Sequence, residues 1–280
     1  MANVRVAVVT GGNKGIGFEI VKGLCKNFDG VVYLTARDVS RGEQAISSLQ
    51  QQGLKPKFHQ LDISDQGSLD NFKKYLQDNY GGLDVLVNNA AIAYKVRAKE
   101  PFGEQARNTI AVNFFGVLAT CHTLFPILRP HARVVNLTSS LGHLSVIPGQ
   151  KLRDQLSDPN LTEEQLCDLM NAFVKAAEEG RHSAEGWPNS CYSVSKVGVS
   201  ALTFIQQRAF DKDSREDLVV NAVHPGYVKT DMTSHMGHLT PEEGADAPVY
   251  LALLPPNIQS PKGAYVWCDR KIVDWINKIT

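Results

Sequence analysis

Val6-Ala7-Val8-Val9-Thr10-Gly11-Gly12-Asn13-Lys14-Gly15-Ile16-Gly17 is the stretch on which the fold reading turns. A short apolar run ends in a glycine-rich loop, and from Ile16 to Phe28 apolar residues recur with helical periodicity. Glycines at a strand-to-helix joint let the backbone turn tightly and approach a pyrophosphate. The helix N-terminus then offers unpaired N–H groups and partial positive charge. Alone, such a loop also fits an ordinary βα turn; between this strand and this helix it points to dinucleotide binding. Gly11, Asn13, Lys14, Gly15, Ile16 and Gly17 are therefore candidate cofactor residues.

The alternation continues outward. Val31–Thr35, Phe58–Leu61, Leu83–Val87 and Val134–Thr138 read as strands, with helices expected near 41–52, 69–80 and 105–124. Apolar strands alternating with amphipathic helices imply an α/β doubly wound parallel sheet covered on both faces, with ligands outside the carboxyl ends of the strands. Residues 145–186 break the pattern. Inside them Thr162-Glu163-Glu164-Gln165 reads as a capping box, opening a helical stripe of Leu166, Leu169, Met170, Phe173, Val174 and Ala177. That excursion is too short for its own core, so residues 1–280 are read as one domain carrying a helical insertion at about 145–186. Helix is expected again over 190–210 and 241–254, and strand over 218–223 and near 264–266.

Lysine plus arginine number 29 and aspartate plus glutamate 29, so no net field recruits nucleic acid or an anionic membrane. No apolar run in the sequence approaches membrane-spanning length, and Met1–Arg5 lead into a strand without signal-peptide anatomy. The five dispersed cysteines form no C-x-x-C pair, which fits free thiols in a reducing, cytoplasmic compartment. His235 and His238 are spaced for one helix face but lack a third ligand, so no metal is expected. Cys191 reads as a small packing residue before a redox thiol. The absence of G-x-S-x-G and H-E-x-x-H argues against a hydrolase.

Two further constellations carry chemistry. The second strand ends Thr35-Ala36-Arg37-Asp38, with Ala36 where an NAD enzyme would place an acid for the ribose hydroxyls. Arg37, with Lys14, suits a 2′-phosphate and hence NADP(H), while Asp38 would compete if it faced the ribose. Tyr192 and Lys196 stand at i and i+4 on one helix face. Bringing a phenol from a pKa near 10 to near 7 takes about 4 kcal/mol of phenolate stabilisation. A cation about 5 Å away supplies roughly 3 kcal/mol at an effective dielectric near 20. Taken alone, such a pair occurs often by chance and is usually solvated helix surface.

Thr10–Gly17, Asn88-Asn89-Ala90, Asn113, Asn136–Ser140, Tyr192 with Lys196, and Pro225-Gly226 together resemble the short-chain dehydrogenase/reductase family, in its order and over nearly the whole chain. Glu185-Gly186-Trp187-Pro188 and Pro241-Glu242-Glu243-Gly244 look like its NADPH-dependent carbonyl reductase branch. The resemblance implies a Rossmann-type sheet of about seven parallel strands and hydride transfer from NADPH to aldehydes, ketones or quinones. It implies that Tyr192 donates the proton, Ser139 holds the carbonyl oxygen, Lys196 lowers the tyrosine pKa and binds the ribose, and Asn113 holds a relay water. Asp62 and Ile63 would flank the adenine, Asn89 a ribose, and Pro225, Gly226, Val228 and Thr230 the nicotinamide carboxamide. Leu141, Trp187 and Tyr227, with Met232 and Met236, are candidates for an apolar substrate pocket beside Ser139 and Tyr192.

Two departures stand out: Ala91 replaces the glycine of Asn-Asn-Ala-Gly, and His224 stands where some carbonyl reductases carry a cysteine. Ser139 and Tyr192 are 53 positions apart, far more than the family's commoner spacing, and the excess is the insertion. Relatives associate through the helix carrying the Tyr-Lys pair and the helix before it. An insertion covering that surface implies a monomer. A reductase dedicated to one ketone (prostaglandin, steroid or terpenoid) uses the same motifs, and a silent NADPH-binding regulator would be expected to lose them.

Overall fold

Strands buried on both faces need apolar side chains pointing both ways, and the first strand shows the division. Val6 and Val8 face one layer of helices, Ala7 and Val9 the other. The computed structural model describes residues 4–95 and 97–277, so the first three residues of the N-terminal stretch lie outside the described residues. In chain order the first half runs β1 (Val6–Thr10), α1 (Gly15–Asn27), β2 (Val31–Ala36), α2 (Val39–Gln51), β3 (Lys57–Gln60), α3 (Gln66–Tyr80), β4 (Leu83–Asn88) and α4 (Phe102–Ile110). Then follow α5 (Gly116–Leu124), β5 (Leu128–Leu137), α6 (Gln150–Leu156), α7 (Glu163–Glu178), α8 (Cys191–Phe210), β6 (Val219–Val223), α9 (Pro241–Ala252) and β7 (Tyr265–Val266).

The seven strands form one parallel sheet in the order β3-β2-β1-β4-β5-β6-β7. Strand order reverses between β1 and β4, which makes the mouth of β1 the switch point where such sheets bind ligands. On one face Ile20, Val21 and Leu24 of α1 and Leu251 of α9 pack with Ala7, Val9 and Val87. On the other, Leu69, Phe72 and Leu76 of α3 pack with Val8, Leu86 and Val134.

From Phe102 to Ile127 the backbone is helical without a break: α4, a π-helical turn at Ala111–Phe115, α5 and a 3₁₀ turn at Phe125–Ile127. This corrects the sequence reading, since by length and composition this stretch is long and apolar enough to cross a membrane. In the fold, 61% of its most apolar window is buried, with Ala106, Ile110, Phe114 and Val117 in the core, so it is a core helix.

The segment at about 145–186 packs onto the body through α7, which lies on α4 and α8. The capping box forms at Thr162, whose hydroxyl accepts from Gln165 N–H at 3.2 Å while Gln165 accepts from Thr162 N–H at 3.0 Å. Leu166, Met170 and Phe173 are fully buried, and Leu169 and Val174 half-buried. Gly198 on α8 is a notch for this helix: a Cβ there would stand 2.8 Å from Met170 Sδ. Burial at about 1.5–3 kcal/mol per large side chain makes this seam a substantial part of the stability. Helix α6 is absent from the sequence reading because its seven residues bury only Leu152 and Leu156. Strand β5 starts at Leu128, earlier than expected, because Arg129, Pro130 and His131 hide its first pairing, Leu128 with Leu83.

Candidate active site

The glycine loop is shaped by close approaches. Gly11 has φ +64°, and a Cβ there would lie 2.9 Å from the Ala90 backbone. At Gly17 a Cβ would stand 2.4 Å from Asn89 Nδ2. That amide donates to the Thr10 and Gly11 carbonyls at 2.9 and 3.0 Å, so Asn89 clamps the mouth of β1. Gly15 (φ +57°) faces Thr230, whose methyl lies 3.3 Å from where its Cβ would be. Asn13 and Ile16 are half-buried beside these glycines. Ala91 lies outside the left-handed region, so alanine in place of glycine carries no strain here.

At the end of β2, Ala36 is buried and Arg37 exposed. Asp38 is removed from competition, because its carboxylate caps α2 by accepting from Arg41 N–H at 2.9 Å. Lys14 does not reach toward Arg37 but pairs with Asp231 at 2.7 Å. Asp62 accepts from Ser64 N–H and Oγ at 2.9 and 2.5 Å, and Ile63 beside it is buried. Burial works to raise the Asp62 carboxyl, but the Ser64 hydrogen bonds and the Arg37 charge hold it below its ordinary range.

Across the switch point, β5 ends at Leu137 and hands over to Ser139, whose Oγ accepts from Leu141 N–H at 3.2 Å. Helix α8 is capped by Ser190, which accepts from Ser193 N–H at 3.2 Å and so sets Tyr192 in its first turn. Ser139 lies close enough to Tyr192 for its hydroxyl to act on the phenol. One turn on, the Lys196 ammonium sits 5.7 Å from the Tyr192 ring centre and donates to Leu137 O at 2.7 Å. Burial pushes the Tyr192 phenol up to about 12, opposed by the Ser139 hydrogen bond. Burial also pushes Lys196 down to about 8. Removal from water disfavours phenolate and ammonium alike, and in the protein without cofactor that effect outweighs the lysine charge.

Asn113 is fully buried in the π-helical turn. Its Oδ1 accepts from Ile92 N–H at 2.8 Å, and its Nδ2 donates to Ile92 O at 2.9 Å and Ser195 Oγ at 3.1 Å. These bonds tie the segment after β4 to α8 beside Lys196. Such turns recur where a helix must re-aim a side chain.

After β6, Pro225 leads into Gly226 (φ +91°), Val228 is buried, and Thr230 meets Gly15. Leu141 and Tyr227 are each 48% exposed and Met236 is 69% exposed, so none of the three belongs to the core. Trp187 does not join them. It is buried in the core, with its ring 5.4 Å from that of Phe173, so the insertion's packing claims it and the pocket assignment is corrected. His224 stacks edge-on with Trp267 at 5.2 Å, and burial pushes its imidazole down to about 4. Burial raises the Cys191 thiol to about 12, as suits a packing residue. His235 (φ +61°) lies in a turn instead of on a helix and pairs with Asp231 at 3.2 Å; the described residues hold no metal-ligand cluster.

Two residues escaped the sequence reading. Tyr265 donates its hydroxyl to Ser139 O at 2.6 Å, bracing the turn that presents Ser139. The strand carrying it is the one expected near 264–266, but two residues hold no pattern that marks Tyr265 as a brace. Lys95, on the loop after β4, reaches the 231–234 turn with no local signal of doing so.

A parallel sheet with a glycine cradle at its switch point, and a phenol, hydroxyl and ammonium gathered beside it, defines the class as Rossmann-type oxidoreductases. The chain belongs to the short chain dehydrogenase family, whose model matches residues 5–150. It is 48% identical to carbonyl reductase [NADPH] 1 of Rattus norvegicus over 272 residues, covering 96% of this chain and 98% of that protein. It is 46% identical to carbonyl reductase [NADPH] 1 of Homo sapiens over 276 residues, covering 98% and 99%. Among solved structures, salutaridine reductase from Papaver somniferum superposes with a TM-score of 0.86 at 33% identity, covering 93% of this chain and 99% of that one.

Proposed function

We propose that this protein is an NADPH-dependent carbonyl reductase that converts aldehydes, ketones or quinones to alcohols or hydroquinones. The observation that carries the reading is the placing of Lys196 one turn after Tyr192 on α8, its ammonium 5.7 Å from the phenol ring centre and bonded to Leu137 O where β5 hands over to Ser139, at the carboxyl edge of the sheet. The likeness to proteins named carbonyl reductase [NADPH], at 46–48% identity, favours a general carbonyl reductase over one dedicated to a single ketone.

The residues present fit the cofactor. Gly11 and Gly17 leave a cradle that a Cβ would fill, and an exposed Arg37 follows Ala36 where a ribose-binding acid would stand. Gly11, Asn13, Gly15, Ile16 and Gly17 would hold the pyrophosphate, Lys14 and Arg37 the 2′-phosphate, Asp62 and Ile63 the adenine, and Asn89 a ribose. Pro225, Gly226, Val228 and Thr230 would hold the carboxamide. When bound, NADPH supplies hydride to the carbonyl carbon.

Tyr192 and Ser139 both donate hydrogen bonds to the carbonyl oxygen in this reading, and Tyr192 releases its proton to that oxygen as charge builds there. Its raised pKa keeps the phenol protonated at neutral pH, the form a reductase needs. Lys196, at about 8, is mostly charged at pH 7 and stabilises the phenolate left behind. Asn113 aligns the segment after β4 and holds the relay water that returns a proton. Leu141, Tyr227, Met232 and Met236 form a mouth for apolar carbonyl compounds.

The same reading takes residues 1–280 as one domain with the insertion at about 145–186, acting in the cytoplasm as a monomer because α7 covers α4 and α8. Oxidation of NADPH against a panel of quinones, aldehydes and keto-steroids tests it. Turnover of several classes is expected, and turnover of none would overturn the assignment.

A further inference from the structure

The turn over residues 231–236 lies between the glycine loop and the loop after β4, and a lysine from each holds it. Lys14 Nζ pairs with the Asp231 carboxylate at 2.7 Å. Lys95 Nζ donates to the Asp231 carbonyl and, at 3.0 Å, to Ser234 Oγ. Inside the turn, Thr233 Oγ1 accepts from Thr230 N–H at 3.1 Å and donates to Val228 O at 2.6 Å, while His235 Nε2 lies 3.2 Å from Asp231. The turn is thus built within itself and fastened to the rest of the site by two cations. It carries Met232 and Met236, both exposed and assigned above to the substrate mouth.

Lys14 has two claims on it. Its ammonium is the glycine-loop cation assigned above to the 2′-phosphate, and in the structure a carboxylate from the rim turn occupies it. A phosphate bearing close to two negative charges and a carboxylate repel one another across a shared ammonium. Both partners of the existing pair are 61% exposed, so the pair is weak enough to exchange.

We infer that Asp231 is a specificity-determining residue: it competes with the 2′-phosphate of NADPH for Lys14, so that NADPH, but not NADH, frees the rim turn from the glycine loop. This rests on the reading of Lys14 as a 2′-phosphate ligand. Lys95 keeps its hold on the turn in either state. The competition lowers NADPH affinity below what the free cation would give, and couples the phosphate to the mouth of the substrate site.

Fluorescence titration of the full chain with NADPH and with NADH tests the inference, using unmodified protein, Asp231→Asn, Lys14→Ala and the double variant. Asp231→Asn is expected to tighten NADPH by about two- to fivefold, the range of an exposed ion pair, and to leave NADH unchanged. In the Lys14→Ala background the same substitution should have no effect. The inference is overturned if Asp231→Asn leaves NADPH binding unchanged or weakens it. An equal gain with and without Lys14 also overturns it, because the carboxylate would then act only as a general repulsive charge. A distinct failure, Lys14→Ala leaving the NADPH-to-NADH affinity ratio intact, would remove the 2′-phosphate reading itself and the competition with it. Because Asp231 is exposed and its substitute nearly isosteric, folding of the variant is secure.

Discussion

Replacing Lys196 with methionine should stabilise the cofactor-free protein at pH 7 while abolishing turnover. Lys196 is 4% exposed, and burial takes its ammonium from an ordinary 10.5 to about 8. The unfolded chain therefore binds this proton more tightly than the folded one. The charged form costs stability fully below about pH 8, and the cost fades as pH rises toward 10.5. At 1.36 kcal/mol per pH unit the cost at pH 7 is about 3 kcal/mol. Methionine removes it, but leaves Leu137 O without the 2.7 Å bond from Lys196 and is slightly short of the space, returning about 1 kcal/mol. A net gain of about 2 kcal/mol at pH 7 should shrink to nothing or reverse by about pH 10, where unmodified Lys196 is mostly neutral. Urea denaturation of both proteins at the two pH values measures it. A variant less stable at pH 7, or a gap that does not change with pH, would refute the claim that this site stores a buried charge.

Other outcomes follow from the same geometry. Gly17→Ala should weaken NADPH binding at least about tenfold, read by fluorescence titration, because its Cβ would displace the Asn89 amide that clamps the β1 mouth. The unmodified enzyme should prefer NADPH over NADH by about 10² in kcat/KM, and Lys14→Ala with Arg37→Ala should erase most of that preference in steady-state assays. Phe173→Ala should cost about 3–5 kcal/mol in denaturant titration, since its ring is fully buried between Phe102 and Trp187. Light scattering at micromolar concentration should give a mass near the chain's own 30.8 kDa, and a stable dimer would contradict α7 as a cover.

Much of the architecture was legible because strands buried on both faces must be apolar runs, and glycines mark where they hand over to helices. Val6–Thr10 and the loop behind it could be read directly. The inner face of α7 was legible too, because a capping box fixes where the helix starts and therefore which residues share that face. The grouping of Ser139 with Tyr192 was not visible in local pattern; only the resemblance brought together residues 53 positions apart. Trp187 was misplaced because aromatic character suits a core and a pocket equally, and only packing against Phe173 decides. The raised Tyr192 pKa of the protein without cofactor was not legible, because a charge count includes the neighbouring cation but not the water lost on burial. The Lys14–Asp231 pair was not legible because its partners stand 217 positions apart.

The central claim is that Tyr192 delivers the proton while the chain binds NADPH independently of it. The direct measurement is NADPH oxidation by Tyr192→Phe beside unmodified protein, at saturating NADPH with the best quinone or aldehyde substrate, together with the NADPH dissociation constant of each. Turnover should fall by more than about 10², as for removal of a general acid, with the dissociation constant nearly unchanged. Retention of half the activity would mean that the proton comes from another group, and would contradict the account.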